Sequence, residues 1–135
     1  MINSIRDYTM LNNGVKMPWL GLGVWQVTNP KELNFAVKTA LNYGYAAIDT
    51  ADIYGNEKEV GRAIRESGVP RGDLFVTTKL WNARQREGFQ GTLKAFEASR
   101  KRLDMDYVDL FMIHWPVKGK YTESWKALIK LCQQG

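Results

Sequence analysis

The chain has 135 residues, 44% of them hydrophobic and 24% charged, with a net charge of +5, a composition suited to one globular domain with a real core. No run approaches the roughly 18 apolar residues of a membrane span, and the opening MINSIRDYTM has no apolar stretch of the kind a secretory signal needs. One His and one Cys exclude a disulfide framework and disfavour a metal cluster, and a single thiol, Cys132, suits a reducing cytoplasm.

The first predicted unit is a β-hairpin over about 8–18, YTMLNNGVKMP, in which Asn13-Gly14 supplies the positive φ angles of a tight turn. WLGLGVW, Trp19–Trp25, reads as a short buried strand. Pro30 opens a helix with Leu33, Ala36, Val37, Ala40 and Leu41 on one face and Gly44 as its stop. YAAIDTA is the next strand, and Asn56 is placed to cap a helix that ends at Gly68. DLFVTTKLW forms a third strand, followed by a polar loop, NARQREGFQ, and the helix GTLKAFEASRKRLDM. YVDLFMIHW is the fourth strand, and TESWKALIKLCQQG the last helix, with Gly135 at its C-cap position.

A hairpin followed by four strand–helix units, about 19–135, predicts an α/β fold with a parallel sheet covered by helices. The strands are continuously apolar, as expected when both faces are covered. Two architectures fit: an open four-stranded sheet, or the first four units of an eight-unit barrel. All 135 residues are read as one domain.

The basic residues are interleaved with acids, as in KEVGRAIRESGVPRGD, which describes a solvated helix face better than a nucleic-acid stripe. The informative residues lie at the C-terminal ends of the strands: Trp25, Asp49 with Tyr54, Lys79 with Trp81, and His114 with Trp115. In a parallel sheet these ends share one side, so the residues converge. A phenol with a pKa of about 10 is a poor acid near neutrality, and a lysine cation beside it favours its ionised form. Asp49 can keep Lys79 charged in a half-buried place, and His114 can hydrogen-bond a substrate oxygen. Three tryptophans, Trp25, Trp81 and Trp115, can supply apolar pocket walls. The set suits protonation of a carbonyl oxygen as hydride arrives at carbon, with the hydride supplied by a nicotinamide cofactor.

Taken singly, each residue has a bland explanation: Asp49 a turn acid, Tyr54 a packed turn aromatic, His114 a strand-end cap, the tryptophans core. Lys79 inside an apolar strand is hardest to explain that way, because an unpaired buried cation is costly. The G-x-G of LGLGVWQ lacks a third glycine and a helix directly behind it, so it is rejected as a dinucleotide fingerprint.

The stretches LNNGVKMPWLGLGVWQV, GYAAIDTADIYGNEKEVGRAI, LFVTTKLWN and LDMDYVDLFMIHWP resemble the aldo-keto reductases, near the bacterial members that reduce small aldehydes and ketones, such as 2,5-diketogluconate reductases. The resemblance runs from about residue 8 onward. It implies a (β/α)₈ TIM barrel of which this is the N-terminal half, with the hairpin plugging its bottom. It also implies NADPH, or less often NADH, as cofactor. Tyr54 would be the general acid, Lys79 and Asp49 would tune it, His114 would orient the carbonyl, and Trp25, Trp81 and Trp115 would line the pocket. Where this family usually has Arg after the Gly-Tyr pair, the chain has Ala46-Ala47 after Gly44-Tyr45, a change expected to affect stability or solvation and not chemistry. The chain stops where the family continues into a fifth strand, so most of the cofactor site is expected to be missing. A half barrel exposes two sheet edges and an apolar inner face; self-association would cover them, and a fragment of a longer reductase is the equal alternative. The alternative to a carbonyl reductase is a catalytically inactive folding or assembly module of the same family; a flavodoxin-like binding domain would leave the Lys79–Asp49 pair without a task.

Overall fold

The structure, a computed structural model, describes residues 4–134; the predicted cap at Gly135 lies outside them. Strands β1, Tyr8–Met10, and β2, Lys16–Pro18, pair antiparallel as the hairpin. Of the Asn13-Gly14 pair only Gly14 has positive φ, +82°. The amide of Gly14 donates to Leu11 O, that of Leu11 to Val15 O, and that of Val15 to the Asn13 side chain. The loop is therefore a three-residue connection closed by a left-handed glycine, not a two-residue turn.

The remaining strands are β3, Leu22–Gly23, β4, Ala47–Asp49, β5, Phe75–Leu80, and β6, Leu110–Ile113. They form one parallel sheet in the order β3-β4-β5-β6. A doubly wound sheet reverses its order part-way; an unreversed order with right-handed crossovers puts every helix on one face. This is the winding of a (β/α)₈ barrel, and it removes the flavodoxin-like alternative. The helices are α1, Pro30–Asn42, α2, Glu57–Ser67, α3, Asn82–Gln85, α4, Gly88–Leu103, and α5, Tyr121–Gln134. Of these, α1, α2, α4 and α5 pack successively side by side. None among the described residues is long and apolar enough to cross a membrane.

Local chemistry explains the element ends. The Asn29 side chain accepts from the amides of Lys31 and Glu32 ahead of Pro30, while Gly44 and Gly68 take the left-handed conformation that ends α1 and α2. Leu33, Val37 and Leu41 of α1 meet Val60, Ala63 and Ile64 of α2 over Ile48 and Val76 of the sheet. Strand alternation sends Ile48, Val76 and Thr78 toward the helices and Asp49, Thr77 and Lys79 to the opposite face.

Three expectations are corrected. The predicted strand Trp19–Trp25 shrinks to Leu22–Gly23, with Trp19, Leu20 and Trp25 exposed, because this strand is an edge with one neighbour. The stretch NARQREGFQ is not a loop: it holds α3 and the start of α4, and its Gln85 is fully buried. Asn56 precedes α2 but makes no capping hydrogen bond; its side chain is buried and used elsewhere.

Candidate active site

Most of the residues singled out meet at the C-terminal ends of the parallel strands. Asp49 ends β4, and the short turn Asp52–Tyr54 follows it at once, closed by Gly55 at φ +67°. This brings Tyr54 back over the neighbouring strand. Lys79 projects from β5, and its ammonium donates to Asp49 Oδ2 at 2.5 Å and to the carbonyl of Thr50 at 3.0 Å. The lysine side chain is 13% exposed, so both partners matter for keeping it charged. Its Nζ lies 5.2 Å from the centroid of the Tyr54 ring.

His114 follows β6, and its amide donates to Leu80 O, so the parallel ladder continues one step past the strand. Its imidazole meets the Tyr54 ring edge-on, with centroids 5.7 Å apart, and the Trp81 ring edge-on at 5.4 Å. Trp115 stacks on its other side at 6.2 Å. Burial, aided by the Lys79 cation and opposed by Asp49, pushes the imidazole below its usual pKa. A neutral ring results, able to donate from one nitrogen and accept at the other.

The structure thus gathers Asp49, Tyr54, Lys79, His114, Trp81 and Trp115. Trp25 is 66% exposed, and among the described residues no ring contact joins it to this group. Three supports escaped the sequence reading. Asn56 accepts from the Thr50 hydroxyl at 2.8 Å and donates to Val24 O and Val27 O at 2.9 and 3.2 Å. It thereby pins the turn containing Gln26, whose φ is +62°, to the residue beside Asp49. Gln85 donates to Trp115 O and accepts from the amide of Val117, fixing the segment after His114. Arg102 reaches Asp52 and the buried Glu57. In sequence these are ordinary polar residues of a cap, a loop and a helix surface.

A dinucleotide needs a grip for its phosphates, which neither the glycines before Trp25 nor the arginine-lined cavity supplies. Gly21 and Gly23 lead into the Trp25–Gln26 turn, with α1 beginning only at Pro30. The 550 Å³ cavity lined by Arg65, Arg71 and Arg100 sits at the C-terminal ends of α2 and α4, the far end of the sheet. Its arginines already pair with Asp104, Asp109 and Glu97. No group of three or more potential metal ligands occurs among the described residues.

The model of the aldo/keto reductase family matches residues 19–135. The chain belongs to the aldo/keto reductase family. It is 53% identical over 135 residues to the glyoxal reductase of Bacillus subtilis (strain 168), covering all of this chain and 48% of that one. A crystal structure of an aldo/keto reductase from Brucella melitensis is 52% identical with a TM-score of 0.87, over 95% of this chain and 50% of that one. An aldo-keto reductase of Bombyx mori in complex with NADP is 34% identical with a TM-score of 0.86, over 95% and 47% of the two chains. This aldo/keto reductase chain spans about half the length of the curated relatives it matches. Its four strand–helix units are those of the family's barrel.

Proposed function

We propose that the chain carries the proton-delivery half of an NAD(P)H-dependent carbonyl reductase that converts aldehydes or ketones to alcohols. One observation carries this reading: Lys79, held by Asp49 and the Thr50 carbonyl, faces the Tyr54 ring while His114 meets the same ring edge-on. In this reading Tyr54 gives its phenolic proton to the carbonyl oxygen. The Lys79 cation favours the resulting phenolate, and Asp49 keeps that cation charged. Neutral His114 hydrogen-bonds the carbonyl oxygen and sets its place relative to Tyr54. Trp81 and Trp115 wall the carbonyl site, with Trp25 at its rim. A reduced nicotinamide, NADPH or alternatively NADH, supplies hydride in such a reaction, and the share of these residues is the proton. The single exposed thiol, Cys132, supports the cytoplasm as the site of action.

The described sheet is open at both edges, and we propose that a second copy of this chain can cover it in solution. The chain exposes 8452 Å², whereas a compact monomer of its 15.5 kDa exposes about 7,200 Å². The excess of roughly 1,200 Å² is more than the ~800 Å² per partner of a standard interface. The outer edges of β3 and β6 are unpaired in the described sheet. Beside β6, Tyr121, Trp125 and Ile129 form an exposed stripe on α5 at spacing i, i+4, i+8. Two copies joined edge to edge make eight parallel strands in one closed barrel.

Titration of the purified chain with NADPH, read by tryptophan fluorescence, tests the enzymatic reading. Saturation at micromolar cofactor, with carbonyl-dependent NADPH oxidation that Tyr54→Phe abolishes, is the expected result. No binding up to millimolar cofactor overturns it in favour of an inactive assembly module. Full turnover by Tyr54→Phe removes Tyr54 from the acid role.

A further inference from the structure

An ion-pair cluster built around one buried carboxylate lies behind the candidate site, on the helix side of the sheet. Glu57, at the start of α2, is 1% exposed. Its carboxylate accepts from the Thr78 hydroxyl at 2.6 Å and from Arg102 Nε at 2.6 Å. The same guanidinium, reaching in from α4, donates through Nη2 to Asp52 Oδ1 at 2.6 Å and to the Ser99 hydroxyl at 3.0 Å. Asp52 opens the three-residue turn that ends in Tyr54, and Thr78 precedes Lys79 in β5.

One planar cation therefore joins the two segments that carry the groups facing each other across the site, the turn directly through Asp52 and the strand by way of Glu57 and the Thr78 hydroxyl. Lys79 and Tyr54 belong to different segments, and their 5.2 Å separation depends on how the turn sits over the strand. Asp49 fixes the lysine; no contact it makes fixes the tyrosine turn. A guanidinium holds two carboxylates in a fixed fork, which an ammonium, as a point charge, does not reproduce.

We propose that Arg102, acting through Asp52, is a positioning residue that holds the Tyr54 turn in register with the Lys79 strand. Its functional meaning rests on Tyr54 being the proton donor, but the geometry it invokes can be tested without turnover. Arg102 is a poor first target, because removing it strands the buried Glu57 charge and threatens folding. Asp52→Ala cuts only the arm to the turn and leaves the Glu57–Arg102–Thr78 contacts in place.

His114 is the only histidine, so its Cε1–H resonance in a proton NMR spectrum is a single assigned reporter, and the Tyr54 ring lies edge-on to it. Tyr54→Leu, which removes that ring, defines the full displacement of the signal. Asp52→Ala is expected to move the signal at least half of that distance, while Asp52→Asn, which keeps an acceptor oxygen, stays near the wild-type position. Both variants should retain a cooperative urea transition. If Asp52→Ala does not fold, Arg102→Lys, which can still neutralise Glu57 but cannot bridge, gives the same readout. An unmoved signal in the folded variant overturns the proposal, as does a Tyr54→Leu spectrum identical to wild type. A chain that reduces no carbonyl would sink the enzymatic reading and leave this test standing.

Discussion

Asn56→Asp separates the two things an asparagine before a helix can do. As an N-cap, aspartate equals asparagine, and its negative charge favours the helix start, so the substitution should be neutral or slightly stabilising. In the structure the Asn56 amide is instead a donor to Val24 O and Val27 O, and a carboxylate cannot donate. Val24 O keeps the Val27 amide as a donor at 3.3 Å, so it is not left unsatisfied, and each of the two lost bonds costs about 1 kcal/mol. The introduced charge would also face two carbonyl oxygens at a position only 6% exposed. A loss of roughly 2 kcal/mol or more at pH 7 follows from these contributions, read as a lower urea midpoint by circular dichroism and tryptophan fluorescence. The loss should shrink on acidification, because a protonated carboxyl regains a donor. A variant within about 0.5 kcal/mol of wild type, the ordinary range for an inconsequential surface change, would refute the tie between the Gln26 turn and Thr50.

The His114 resonance should titrate below the usual 6.5, and Lys79→Met should raise its midpoint, since one lowering influence is gone and Asp49 is left unopposed. Because the folded-state value is the lower one, the unfolded chain binds the proton more readily between the two. The histidine's contribution to stability is therefore complete above about pH 6.5 and is lost as pH falls from there to the folded-state value; urea midpoints that rise on acidification through this window would contradict it. Gly61→Ala should cost about 3 kcal/mol by overpacking, because a β-carbon there overlaps the carbonyl of Leu103 where α2 crosses α4; a loss under 1 kcal/mol by urea denaturation would show that the helices can part. Sedimentation equilibrium should give twice the 15.5 kDa chain mass, and Trp125→Lys on the exposed α5 stripe should shift it toward monomer; a monomer at every concentration refutes the second copy as the cover.

Much of this protein was determined by sequence alone. Pro30 and the stops at Gly44 and Gly68 act within one turn of chain, so α1 and the end of α2 could be bounded without a partner. The alternation of strands and helices sufficed for a parallel sheet, and a parallel sheet collects its strand ends on one side. Asp49, Tyr54, Lys79 and His114 could therefore be grouped before any distance was known. Tertiary structure alone decided between an open sheet and barrel winding, through the unreversed strand order. It also decided which polar residues are buried. Asn56 is tied to a carbonyl 32 positions away, and Arg102 to carboxylates 45 and 50 positions away. Helix propensity, caps and hydrophobic period are local signals; the free energy of a buried polar group is set by the partner that distant chain brings to it.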